Sequence, residues 1–264
     1  MNNNSFFQDK VIIITGASSG IGRAAALIFS RLNAKVVLAS RNEIKLKLLE
    51  NDIRLKGGRA FISKTDVSSF EDTQRMVKET IVKWGKIDIL IANAGSHIQD
   101  FSREIDIQSF ERSMAINFFG TLYVIKSVLP EMRREGKGHI MIVNSLDSKK
   151  GIAGDGPYVA AKSALDGFGD VLRQELREKG IKITSIYPGR VDTPMIKNIK
   201  VPWISQKISP EKVVKAMIQG IKRNRAAVVV PSGYFLLGSL NTIFPHFADW
   251  AYRILKIEGE RIKG

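Results

Sequence analysis

The chain has 264 residues, of which 44% are hydrophobic and 25% charged, enough apolar material for a sizeable core and too ordinary a balance for a disordered polypeptide. It holds no cysteine, which excludes disulfides, thiolate-ligated metal and a cysteine nucleophile, and fits an intracellular setting. The formal net charge of +15 asks for an anionic partner, but the basic residues are scattered and come with no zinc-finger spacing or aromatic RNA-binding motif, so no nucleic acid is expected.

The start, MNNNSFFQDK, lacks a basic stretch followed by a long apolar run, so it does not read as a signal peptide and a cytoplasmic protein is expected. Short apolar, β-branched runs then recur at 11–15 (VIIIT), 35–40, 59–63, 87–92, 138–144, 181–187 and 226–230, with helical stretches between them. Continuous apolar strands alternating with helices are the pattern of a parallel sheet covered on both faces. The predicted fold is α/β: a doubly wound, Rossmann-type, mainly parallel sheet of seven strands in a three-layer α/β/α sandwich. One domain is expected over 1–264, with a core at about 8–194 and a substrate-covering segment, last strand and aromatic tail over 195–264. Such sheets bind ligands at the carboxyl ends of their strands, so the chemistry is sought there.

The first strand ends in Thr15, Gly16, Ala17, Ser18, Ser19, Gly20, Ile21 and Gly22, with a helix beginning near Ile21. A strand, a glycine-rich turn and a helix start make a pyrophosphate site, because the glycines admit close approach and the helix end offers free N–H donors and partial positive charge. After the second strand stand Ser40 and Arg41, where an NAD enzyme would usually present an acidic residue to the ribose. An Arg there can pair with a 2′-phosphate, so NADP(H) is the expected cofactor, with NAD(H) the alternative. Further on, Tyr158 and Lys162 lie four residues apart in a helical stretch and face the same way. A phenol can give a proton to a forming alkoxide, and a neighbouring ammonium is expected to lower its pKa. Near the end, Ser209 and Pro210 open a helix with Val213, Val214, Met217, Ile218 and Ile221 on one face. The aromatic tail over 234–256 is interrupted by Gly238, Asn241, Pro245, His246 and Asp249 and is not expected to span a bilayer. It suits a membrane surface, a substrate pocket or a second subunit.

In order and spacing these residues resemble the short-chain dehydrogenase/reductase family, from about Lys10 to Pro194. The resemblance implies that Asp66 and Val67 contact adenine, that Asn93, Ala94 and Gly95 form the turn that steadies the sheet beside the cofactor, and that Pro188, Gly189, Val191 and Thr193 hold the nicotinamide carboxamide. It also makes Asn117, Ser145, Tyr158 and Lys162 the catalytic set. Ser145 and Tyr158 would bind the carbonyl oxygen, Lys162 the nicotinamide ribose, and Asn117 a water leading from Lys162. Homodimers or homotetramers are implied, built on the helices around Asn117 and Tyr158.

Some residues depart from the family's pattern. Asn144 replaces a common Ser, Ser19 is not the basic residue frequent in NADP enzymes, and Asp147, Lys149 and Lys150 stand where small apolar residues are usual. These three are expected at the substrate mouth, reading a polar or anionic group unless they are simply solvated. His97 is a candidate for that mouth, while His139 and His246 read as structural, and no histidine or acidic cluster has metal-ligand spacing. The expected activity is reduction of a bulky, apolar ketone or aldehyde, on the strength of Trp203 in the 195–206 segment and the aromatic tail. The alternatives are an NAD(P)-dependent alcohol dehydrogenase working in the oxidative direction and a cofactor-sensing or scaffold protein on the same fold.

Overall fold

The structure, a computed structural model, describes residues 5–99, 105–197, 206–234, 241 and 243–254. Seven strands form one sheet: β1 (Val11–Thr15), β2 (Lys35–Ser40), β3 (Arg59–Lys64), β4 (Ile89–Ala92), β5 (Gly138–Val143), β6 (Ile181–Pro188) and β7 (Ala227–Val230). They lie in the order β3-β2-β1-β4-β5-β6-β7, and each neighbouring pair is parallel. The strands read from apolar runs are all present. β4 starts two residues later than the run suggests, because Asp88 turns its carboxylate to accept the Val11 N–H at 2.8 Å.

Side chains alternate across the sheet, and this splits the core in two. On one face Ile12, Ile14, Val36, Leu38, Ile89 and Ile91 pack against α1 (Gly20–Arg31), α2 (Glu43–Leu55) and α7 (Pro210–Lys222). On the other, Ile13, Val37, Leu90, Ile140 and Ile142 pack against α3 (Phe70–Trp84), α5 (Gly120–Arg134) and α6 (Gly156–Glu175). The helix expected after Ser209 is α7: the Ser209 side chain accepts the Lys212 N–H at 3.3 Å, Pro210 opens the helix, and the five predicted apolar residues are buried.

Two features place the site. From β1 the chain winds one way to β2 and β3 and later the other way to β4, so a crevice opens at the carboxyl ends of β1 and β4. Beyond β4, α4 (Ile107–Ser113) runs into α5 through a π-helical turn, Met114–Phe119, a local widening that often marks functional sites. Buried Asn117 lies in that turn.

Of the aromatic tail, Pro245–Ile254 forms α8, with Phe247 and Trp250 stacked at 5.6 Å and both exposed. Residues 235–240, 242 and 255–256 lie outside the described residues, as does Trp203. Among the described residues no helix is long and apolar enough to cross a membrane.

Candidate active site

A cavity of about 390 Å³ lies at the carboxyl ends of the strands. It brings together every cofactor-contact candidate read from the sequence except Thr15 and Gly22, which stand immediately behind it. The glycine turn is built for close approach. Gly16 and Gly20 have φ of +67° and +52°, conformations that side-chain-bearing residues rarely adopt. A Cβ on Gly22 would stand 2.3 Å from the Gly16 carbonyl oxygen, and one on Gly16 would stand 2.8 Å from Asn93 Nδ2.

The turn after β4 is tied to this loop. Thr15 Oγ1 accepts the N–H groups of Asn93 and Ala94 at 3.0 Å each, and Asn93 Nδ2 donates to the Thr15 carbonyl at 2.9 Å. Ser19, at the N-cap of α1, makes no side-chain cap, and it lines the cavity with Gly20 and Ile21 at the helix start, where the first N–H groups have no intrahelical partner. A rigid, glycine-lined turn with free donors at a helix start fits the diphosphate of a dinucleotide.

At the far end of the cavity, Arg41 follows β2 and its side chain is 70% exposed. Its nearest carboxylate is Asp66 Oδ2, 3.8 Å from Nη1. Asp66 is itself fixed: it accepts the Ser68 N–H and hydroxyl at 3.0 and 2.7 Å, while its own N–H donates to Asp72 Oδ2 at 2.9 Å. Val67, beside it, makes van der Waals contact with Gly120, where an added Cβ would stand only 2.8 Å from Val67 Cγ2. Pro188, Gly189, Val191 and Thr193, at and just after the end of β6, also line the cavity.

The catalytic candidates meet in the middle. Ser145 lies just past the end of β5, and Tyr158 and Lys162 lie one turn apart on α6, all three buried. Asn144, the departure from the expected Ser, steadies this corner: its Oδ1 accepts the Ser145 N–H at 3.0 Å and its Nδ2 reaches Asp166 at 3.4 Å. Lys162 Nζ donates to the Val143 carbonyl at 2.9 Å and lies 5.8 Å from the centre of the Tyr158 ring. Burial pushes Lys162 down to about 8, against an upward pull from Asp147.

The expected acidification of Tyr158 is not what this geometry gives. Burial is the strongest influence and pushes the phenol well above its ordinary range. Asp147 and Asp155 add to that, and only the Ser145 hydroxyl opposes it. The ammonium is directed at a backbone carbonyl rather than at the phenol oxygen.

The Asn117 side chain is held by direct hydrogen bonds to the protein. Its Oδ1 accepts the Ser96 N–H at 3.0 Å, and its Nδ2 donates to the Ser96 carbonyl at 3.0 Å and to Ser113 at 3.1 Å. Its carbonyl accepts the Thr121 hydroxyl at 3.1 Å. The side chain thus clamps the π-helical turn to the segment after β4. An added Cβ on Gly95 would lie 2.8 Å from Asn117 Oδ1 and 3.9 Å from Lys162 Nζ, so Gly95 lets the two approach.

Lys149 and Lys150 are not at the mouth. Lys149 pairs with Asp166 and lies 4.8 Å from the centre of the Tyr187 ring, while Lys150 pairs with Asp249 on α8. Both are taken up in holding neighbouring elements together, and neither lines the cavity. Asp147 does line it, as expected, and so does His97.

His97 Nε2 lies 3.1 Å from Asp155 Oδ1, which also accepts from Gln99 Nε2 at 2.9 Å, and its ring meets Tyr158 edge to face at 5.0 Å. Asp155 was not singled out in the sequence, where an acidic residue ahead of a helix carries no distinguishing signal. His139 is structural: it is buried on β5 with Nε2 2.8 Å from Thr184 Oγ1. Among the described residues no group of three or more histidine or acidic side chains is placed to hold a metal ion.

Comparison with known proteins places the chain in a family. A sequence model of the short chain dehydrogenases matches residues 10–202. An uncharacterised oxidoreductase of Staphylococcus saprophyticus is 34% identical over 220 residues, covering 82% of this chain and 92% of that protein. An 11-beta-hydroxysteroid dehydrogenase-like protein of Arabidopsis thaliana is 34% identical over 250 residues, covering 91% of this chain and 80% of its own. A solved 7 alpha-hydroxysteroid dehydrogenase, in complex with NADH and 7-oxo glycochenodeoxycholic acid, superposes with a TM-score of 0.78 at 26% identity, over 83% of this chain and 90% of that one. The chain belongs to the short-chain dehydrogenase/reductase family and is an NAD(P)-dependent oxidoreductase.

Proposed function

We propose that the chain, taken as one oxidoreductase unit over 1–264, reduces a bulky, apolar ketone or aldehyde with NADP(H), NAD(H) being the less favoured cofactor. The observation that carries the reading is the meeting of Ser145, Tyr158 and Lys162 at the wall of one cavity, where the buried phenol, raised by burial and the nearby carboxylates, holds a proton to give. A nicotinamide held in the cavity would supply the hydride. Tyr158 Oη gives the proton to the carbonyl oxygen, and Ser145 Oγ holds that oxygen as charge develops on it. Lys162 binds the nicotinamide ribose, and Asn117 fixes the segment carrying Gly95 and Ser96 against it. The free N–H groups at the start of α1 take the diphosphate, with Ser18, Ser19 and Ile21 around them.

Arg41 and Ser40, with no acidic residue at the end of β2, support the 2′-phosphate and hence NADP(H). Ile116, Ile152, Met195 and Ile196 give the cavity an apolar wall, which suits a bulky hydrophobic substrate. Two of the relatives are named for steroid substrates, which agrees in size and polarity. Exposed Ile107, Phe119 and Val171, on and beside α4, α5 and α6, support assembly into a homo-oligomer.

The test is a panel of carbonyl compounds, from small polar ketones to steroid ketones and long-chain aldehydes, run with NADPH and NADH side by side. The expected result is oxidation of NADPH, faster than of NADH, with the hydrophobic members. No oxidation with any hydrophobic carbonyl, or a preference for the small polar ones, would overturn the reading.

A further inference from the structure

We infer that Asp147 is a positioning residue that sets the direction of the Ser145 hydroxyl, withholding its proton from the substrate carbonyl when ionised and releasing it when protonated. The inference rests on the carbonyl-reductase reading above.

Ser145 Oγ donates to Asp147 Oδ2 at 3.1 Å and accepts the Asp147 N–H at 3.2 Å. A hydroxyl has a single proton to donate. While that proton is held by the carboxylate, Ser145 has none for the carbonyl oxygen, and Tyr158 is left as the only donor of the pair. A protonated Asp147 reverses the arrangement: the carboxylic acid donates to Ser145 Oγ, and the serine proton is free to turn toward the cavity.

The backbone enforces this contact. Ser145 caps the short 3-10 turn Leu146–Ser148, and Ser148 Oγ donates to the Ser145 carbonyl at 2.8 Å, so the turn carries the Asp147 carboxylate back over the residue that caps it. The resemblance implies a small apolar residue at this place, and here it is acidic.

The surroundings make the protonation change accessible. Asp147 is half-buried in the cavity wall. The charged and titratable groups facing it are His97 after β4, Asp155 ahead of α6, Tyr158 and Lys162 on α6, and Arg190 after β6. Burial first and Asp155 second push Asp147 up to about 6, while the Ser145 hydrogen bond, His97 and Arg190 pull it down. A carboxyl in that range changes state between mildly acidic and neutral solution.

The experiment is the pH profile of kcat/KM for NADPH-dependent reduction of the best hydrophobic ketone from the panel, between about pH 5 and 8, for the wild type and Asp147→Ala. Removing one donor from a developing oxyanion typically costs about 10²- to 10³-fold. Tyr158 remains in place here, so the wild type is expected to fall by at least about tenfold across the range, with a midpoint near 6. Asp147→Ala should be flat over the same range and faster than the wild type at the alkaline end, with NADPH affinity unchanged by fluorescence titration. If the alanine variant does not fold, Asp147→Asn, which keeps the size and cannot ionise, should also be flat.

A variant that keeps the wild-type inflection overturns the inference, and so does a uniform loss of rate at every pH. An active wild type with no inflection overturns it alone, whereas a wild type inactive on every carbonyl overturns both it and the reading on which it rests.

Discussion

His97 meets the Tyr158 ring edge to face, with centroids 5.0 Å apart and planes at 72°, and is held there by Asp155. The phenol is therefore oriented by an aromatic contact, of a kind worth about 0.5–1.5 kcal/mol. His97→Ala should lower kcat/KM for carbonyl reduction by roughly three- to tenfold through looser placement of Tyr158. NADPH affinity should not change. Steady-state kinetics with a fluorescence titration of NADPH separates the two, and an unaltered kcat/KM would mean that His97 is packing only.

Arg41 lies 3.8 Å from Asp66 and is largely exposed at the rim of the cavity, so its guanidinium can turn to a 2′-phosphate without breaking a buried contact. Arg41→Asp should remove that partner and place a carboxylate near a ribose hydroxyl. The NADPH to NADH preference, read as the ratio of kcat/KM values, should shift toward NADH by about tenfold or more. An unchanged ratio would remove Arg41 from the account of cofactor choice.

His139 predicts a pH dependence of stability independent of activity. Burial, with a smaller push from Lys182, lowers it to about 4, against an ordinary value of 6.5, and it sits neutral beside Thr184. Between 6.5 and 4 the unfolded chain takes up a proton that the folded one refuses. Stability present near neutral pH is therefore lost as pH falls through that window, by up to about 3 kcal/mol. Denaturant unfolding near pH 7.5 and 4.5 should show a smaller loss for His139→Gln than for the wild type. Equal losses would assign the effect to other groups.

The fold was readable because a parallel sheet buries both faces of its strands, so runs such as Val11–Thr15 are continuously apolar and easy to find. Spacing along the chain was just as informative where local structure fixes distance: Tyr158 and Lys162 are one helical turn apart wherever the helix goes. What could not be read was any meeting between distant segments. Lys149 and Lys150 look like a free cationic pair in sequence, yet their partners are Asp166, 17 residues on, and Asp249, 99 residues on.

In the same way, His97 and Asp155 come from separate segments that join only over the end of the sheet, and neither carries a motif. The direction of the Tyr158 shift is hidden in the sequence for a related reason. Helical spacing locates Lys162, but the direction of the shift depends on burial and on the carboxylates of Asp147 and Asp155, which only the folded chain brings near.

Proton donation by Tyr158 is tested most directly by single-turnover reduction of a hydrophobic ketone by NADPH-loaded Tyr158→Phe. The phenyl ring keeps the edge contact with His97 and loses only the hydroxyl. Turnover should drop by about 10²- to 10⁴-fold, the usual contribution of acid catalysis, while NADPH binds as in the wild type. Full activity retained in Tyr158→Phe, with NADPH binding intact, would contradict the account.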